Sequence, residues 1–130
     1  MIVLDTHVWF WWVQGPPELT DDLAAIIASH ESSGLIVSAI SLLEVSRASA
    51  LGGMQLPLGV EEWLHVASSY PGIRIAQLEP SIVVAAYSLP GDFHKDPADR
   101  LIVATARVLN CPLLTRDSRI LSYPHVLHAR

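Results

Sequence analysis

His94 to Ala106 reads HKDPADRLIVATA, and its two halves make different demands on the fold. The second half is apolar on every side. That suits a helix buried from all directions, where a surface helix would carry one apolar stripe. The first half sets Asp96, Asp99 and Arg100 at the helix entrance. Asp96 followed by Pro97 reads as an N-cap with proline at the first helical position. Asp99 then falls in the first turn, where free backbone N–H groups and the helix dipole favour an anion. One carboxylate closes the helix and the other is free for a different task. Asp99 is expected to face a divalent metal together with Asp5, Glu44 and Asp117.

Outward from this helix the chain alternates short apolar runs with helical stretches. Ile2-Val3-Leu4, ending at Asp5-Thr6, reads as a strand buried on both faces. Thr6 to Val13 is helical and stops at Gly15-Pro16-Pro17. Thr20 caps a helix running to about Ser32, with Asp21 and Asp22 in its first turn. Leu35 to Ser38 is a second strand, and a helix follows from Ala39 to about Leu51, where Gly52-Gly53 ends it. Val60 to Tyr70 is helical, Ile73 to Leu78 a third strand, and Pro80 opens a helix to about Leu89. Leu113-Leu114-Thr115 is a fourth strand, Ser118 to Ser122 one helical turn, and Val126-Leu127-His128 an edge strand. This alternation implies right-handed crossovers and a mainly parallel sheet of four to five strands, covered by helices on both faces. Residues 1–130 are expected to form a single domain.

In such sheets ligands bind beyond the carboxyl ends of the strands. Asp5 ends the first strand, Asp117 lies two residues past the fourth, Asp99 begins the helix before the fourth, and Glu44 lies within two turns of the second. Each acid also has a local explanation. Asp5 and Asp117 suit the caps of the helices after them. Glu44 matches a capping box with Ser41, unless the helix already begins at Ala39, and Asp99 matches one with Asp96. Their joint placement favours a shared site. Like charges gathered there repel strongly, and Lys95 is the only lysine in the chain. All-oxygen ligation fits Mg²⁺ or Mn²⁺, hard ions that commonly meet phosphates.

These marks are Asp5-Thr6-His7, Glu44 within SAISLLEVS, Asp99 within DPADRLIVATA, and Thr115-Arg116-Asp117. In this order and spacing the chain resembles the PIN-domain ribonucleases over essentially its whole length, most closely the toxin subunits of bacterial VapBC toxin–antitoxin pairs. The resemblance implies a three-layer α/β/α fold, Mg²⁺- or Mn²⁺-dependent RNA cleavage to 5′-phosphate and 3′-hydroxyl ends, and an antitoxin that occludes the groove. Asp5, Glu44, Asp99 and Asp117 match the family's acidic quartet. Asp96, Thr6 and Thr115 form a second tier, the threonines orienting ligands or waters. His7 stands where many relatives carry Asn or Ser, and reads as a neutral hydrogen-bonding residue. Lys95, Arg100, Arg116 and Arg119 are the candidates for RNA contact. The alternative is a PIN-like interaction module that has lost catalysis, against which the complete quartet argues.

Composition bounds the rest. A net charge of −5 argues against a simple electrostatic nucleic-acid binder, though not against a nuclease whose carboxylates carry metals. With 51% hydrophobic and 16% charged residues, some apolar surface is expected to meet a partner, and a homodimer is expected. No apolar run reaches the ~18–20 residues of a membrane span, and no basic region precedes Ile2-Val3-Leu4, so no signal peptide is expected. Cys111 is the only cysteine, read as packing, which agrees with the cytoplasm. An aspartyl phosphatase would want a second acid at His7, and a receiver-like domain adjacent acids near the first strand. No G-x-S-x-G is present for a serine hydrolase, and His125 and His128 lack the company of a zinc site. Of Trp9, Trp11, Trp12 and Trp63, at least two are expected in the core, with Trp11 the candidate for an exposed contact.

Overall fold

The computed structural model describes every residue from Met1 to Arg130. Its sheet is centred on β1 (Ile2–Leu4), whose three side chains are fully buried. Parallel partners flank it: β2 (Leu35–Ser38), in register Ile2↔Leu35 to Leu4↔Val37, and β4 (Leu113–Leu114), in register Val3↔Leu113 and Leu4↔Leu114. β3 (Ile73–Ala76) pairs parallel with β2 on its outer side, giving the order β3-β2-β1-β4. The chain moves outward from β1 to β3 and then returns to the far side of β1. The order therefore reverses between β1 and β4, the kind of switch point where such sheets open a crevice at their carboxyl edge.

The side-chain period of two divides the core cleanly. Ile2, Leu4, Leu35 and Val37 face one layer, where they meet Val8 and Trp9 of α1 (Thr6–Gln14), Leu23 and Ile27 of α2 (Asp21–His30), and Trp63 and Ala67 of α4 (Val60–Ser68). Val45 of α3 (Ala39–Ala50) joins the same cluster. Val3, Ile36 and Leu113 face the other layer, against Ile102, Val103 and Ala106 of α6 (Pro97–Val108) and Ile120 of α7 (Ser118–Leu121). The result is the expected α/β/α sandwich. Residues 102–106 are buried without a break because α6 is covered twice. The sheet takes one side, and α5 (Pro80–Ala86) takes the other, Ile82 and Ala86 packing on the small Ala104. Truncating Ile102 to Ala would leave a cavity there at a cost of about 2–5 kcal/mol.

Four strands form, and the expected edge strand over Val126–His128 reduces to one parallel bridge, Leu113↔His128. Leu113 donates to Leu127 and accepts from Ala129, and the two-residue β4 offers no further position for a ladder. Trp9 and Trp63 lie in the core, as two of the four were expected to. Trp11 is half-buried against the first core cluster together with Trp12, so it does not stand out as a free aromatic. No helix is long and apolar enough to cross a membrane.

Candidate active site

Asp5 leaves β1 as the N-cap of α1. Its Oδ1 accepts from the Thr6 N–H at 2.8 Å, and its Oδ2 from the Thr115 hydroxyl at 2.7 Å. The local cap is therefore real, but it uses one oxygen and leaves the other pointing across the switch point to the segment after β4. Thr115 passes the connection on, its oxygen accepting from the Asp117 N–H at 3.0 Å. On the other side the Thr6 hydroxyl donates to Glu44 Oε1. That spends its single proton, so the Ser41 hydroxyl, 2.7 Å away, donates to Thr6. Ser38 caps α3, accepting from Ile40 N–H at 3.2 Å. Ser41 therefore lies inside the helix, and Glu44 is beyond any capping box.

Asp96 accepts from the N–H groups of Ala98 (2.9 Å) and Asp99 (3.4 Å) and closes α6 alone. Asp99, 7% exposed, is free of that task. Its Oδ2 meets His94 Nε2 at 2.6 Å and Arg119 Nη2 at 3.5 Å. Arg119 also reaches Asp117 Oδ2 at 3.2 Å, while Asp117 Oδ1 caps α7 through the Arg119 N–H at 2.8 Å. One unbroken path of contacts thus runs from Glu44 through Thr6, Asp5, Thr115, Asp117 and Arg119 to Asp99 and His94. The four acids expected from the sequence lie on it, as do Thr6 and Thr115.

Charge is distributed unevenly along this path. Burial raises the pKa of Asp5, against the bonds from Thr115 and Thr6, and the charge of Asp99 adds to the rise. Burial also raises Glu44, with Asp5, Asp99 and Asp96 adding repulsion, and it raises Asp99, with Asp96 and Asp117 adding to it. Burial acts on Asp117 in the same direction, but its contacts with Arg119 outweigh it and lower the pKa. Arg119 and His94 thus supply a compensation that a search for lysines does not reveal. Asp5 and Glu44 accept only from hydroxyls and an amide.

No three carboxylates or imidazoles converge closely enough to hold one ion together. Mg²⁺ does not need three, since it binds through one or two carboxylates and retains several waters. The donors are all hard oxygens, and the two acids lacking a cationic partner are neighbours through Thr6. The residues fit a hydrated hard cation.

The basic residues expected to touch RNA go separate ways. Arg119 joins the acids. Arg100 turns inward and corrects its expected role: Nε donates to His94 O (3.0 Å), Nη1 to Ala86 O (3.0 Å) and Nη2 to Phe93 O (2.8 Å). With its guanidinium so occupied, it anchors the loop before α6 and holds His94 in place. Arg116 lines a cavity of about 610 Å³ with Asp22 and His128, one that none of the four acids borders. Lys95 is exposed at the α6 entrance. Two site residues escaped the sequence reading, His94 and Ser41. His94 stands within the decisive stretch, but its five-residue separation from Asp99 spans a loop, and no periodicity announces such a contact. Ser41 could have been found as the one polar residue in the Ile40–Leu43 run.

A family model described as PIN domain matches residues 2–126. The chain is 36% identical over 124 residues to Ribonuclease VapC22 of Mycobacterium tuberculosis, covering 95% of this chain and 92% of that protein. Among solved structures, it superimposes on VapBC2 from Rickettsia felis, bound to a DNA fragment from their promoter. The TM-score is 0.70 at 16% identity, covering 98% of this chain and 97% of the other. A toxin-antitoxin complex from Klebsiella pneumoniae matches with a TM-score of 0.64 at 17% identity, covering 98% and 96%.

Proposed function

The chain belongs to the PIN-domain family, and from that premise we propose that it is a Mg²⁺- or Mn²⁺-dependent endoribonuclease, the toxin of a toxin–antitoxin pair. The observation that carries this reading is the continuous path joining Asp5, Glu44, Asp99 and Asp117, four acids from four segments, at the switch point of a parallel sheet. The ribonuclease name of its relative and the toxin-antitoxin title of a structural neighbour support the substrate and the partner. We place the protein in the cytoplasm as a homodimer, with a cognate antitoxin closing the groove.

Asp5 and Glu44 would hold the ion, with Asp99 reaching it only through the ion's waters. Bound there, it supplies a water of lowered pKa and a counter-charge for the phosphate. The chain does the positioning. Thr115 and the Thr6 N–H fix the Asp5 carboxylate by both oxygens, so its orientation survives loss of the cation. Thr6 holds one oxygen of Glu44, which borders the cavity, so the other would be free for the ion or for a hydrogen bond from one of its waters. Arg119, largely exposed, carries a guanidinium to the rim, where it favours the approach of a phosphate. Burial of Asp5 and Asp99 strengthens the interactions that those two carboxylates make.

The test is incubation of purified protein with a mixed RNA pool, with Mn²⁺ or with chelator, followed by mapping of the ends. Cleavage only with metal, leaving 5′-phosphate and 3′-hydroxyl termini, is expected. Termini bearing 2′,3′-cyclic phosphate, made without metal, would exclude water as the nucleophile and overturn the mechanism.

A further inference from the structure

Beside the acids lies a cavity of about 690 Å³, bordered by Thr6, His7, Glu44 and Arg47 over an apolar floor that includes Ile40 and Leu43. We infer, resting on the nuclease reading above, that this cavity seats one unpaired nucleotide of the RNA next to the cleaved bond, with Arg47 on its phosphate and His7 against its base.

Arg47 is the reason. It follows Glu44 by three residues on α3, so the two project from one face of the helix. Glu44 and Asp96 border the same cavity, yet the exposed Arg47 side chain forms neither a salt bridge nor a hydrogen bond. The other arginines near the acids are engaged: Arg119 by Asp99 and Asp117, Arg100 by three carbonyls. A guanidinium left free in a groove continuous with the acids is placed for an anion, and a phosphate takes it in bidentate fashion.

The rest of the lining suits a base. Ile40 and Leu43 lie in the same helical stripe as Glu44 and Arg47, and Leu43 is 61% exposed, so an apolar surface is open to a base beside the guanidinium. His7 follows the Asp5-Thr6 pair directly and is exposed. It has no hydrogen-bond partner, and its ring lies 6.0 Å from Trp11 at a 52° tilt, which limits its freedom to swing away. Single-stranded RNA is read in this way, by bases stacked on aromatic rings and backbone held by cations.

The experiment compares wild type, Arg47→Gln, Arg47→Lys and His7→Ala on a mixed single-stranded RNA pool in Mn²⁺, with melting temperature as the control for folding. Arg47→Gln is expected to raise KM about tenfold, as for loss of a charge-assisted bond, with kcat changed far less. It should also lower the slope of log KM against log salt by about 0.7, one phosphate contact on a single strand. Arg47→Lys should restore the slope. His7→Ala should flatten the base preference at the nucleotide beside the cut. Wild-type KM, salt slope and base preference in Arg47→Gln and His7→Ala, while the parent cleaves normally, would overturn the subsite alone. A parent that cleaves no RNA with Mn²⁺ would sink the nuclease reading, and the subsite with it. Arg47→Gln that cleaves like the parent but loses a bound antitoxin would assign the groove to protein, which also overturns the inference.

Discussion

The two halves of the acidic path face the same electrostatic problem and meet it differently. Asp99 and Asp117 have cationic or ionisable partners in the chain itself, Arg119 between them and His94 on Asp99. Asp5 and Glu44 have only hydroxyls and an amide; burial and acidic neighbours raise both, as they raise Asp99 despite its partners, and only Asp117 is lowered. A fold can orient a buried carboxylate with neutral donors, but neutral donors do not cancel its charge. The half lacking a cation is where an outside one gains most.

The largest effect should come from removing a charge there while keeping the shape. Asp5→Asn retains an oxygen for the Thr6 N–H. RNA cleavage should fall by more than about 100-fold, beyond the effect of losing a residue that only orients a ligand, and Mn²⁺ should no longer raise the melting temperature. In chelator the variant should melt no lower than wild type, because a buried repelling charge has gone. Thr6→Val comes next, since it removes the hydroxyl shared by Glu44 and Ser41. Mn²⁺ affinity measured by calorimetry should drop about 10-fold, and the fold should lose about 1–3 kcal/mol in denaturant titrations.

Titration sharpens the contrast further. Asp5, Glu44 and Asp99 have raised folded-state pKa values, so the stability they contribute is fully present below their unfolded values and is lost as pH rises through the folded ones. Asp117 is lowered and acts in the opposite sense, its contribution present above the unfolded value and lost as pH falls through the folded one. Three against one, melting temperature in chelator should decline as pH rises from the ordinary carboxylate range toward neutrality. Mn²⁺ should reduce or abolish that decline. The smallest effect belongs to the compensated half. Arg119→Gln makes the pocket one unit more negative and should tighten Mn²⁺ only a few-fold, since the guanidinium is exposed and screened by solvent.

The parts of this arrangement that were legible in the sequence share a property: each is declared within a few residues. Ile2-Val3-Leu4 and Leu35-Ile36-Val37 are uninterrupted apolar runs because both faces of the strands are covered. Asp96-Pro97 marks the start of α6, and Asp5 and Asp117 follow strands. What was not legible lies in contacts between segments. The inward turn of Arg100 depends on where the Ala86 and Phe93 carbonyls end up, and nothing in its neighbours distinguishes it from Arg119. His94 meets Asp99 from a loop that Arg100 ties down through carbonyls distant in sequence or across a turn. The terminal strand failed for a related reason. Its apolar residues promise an edge, but β4 is two residues long and offers only one position for a bridge.

A crystal of the protein soaked in manganese, with data collected to locate anomalous scatterers, addresses the uncompensated half directly. A peak should lie beside Asp5 and Glu44, with Arg119 still on Asp117. An empty map at that position, with both carboxylates ordered and unmoved, would contradict the proposal that they hold a cation.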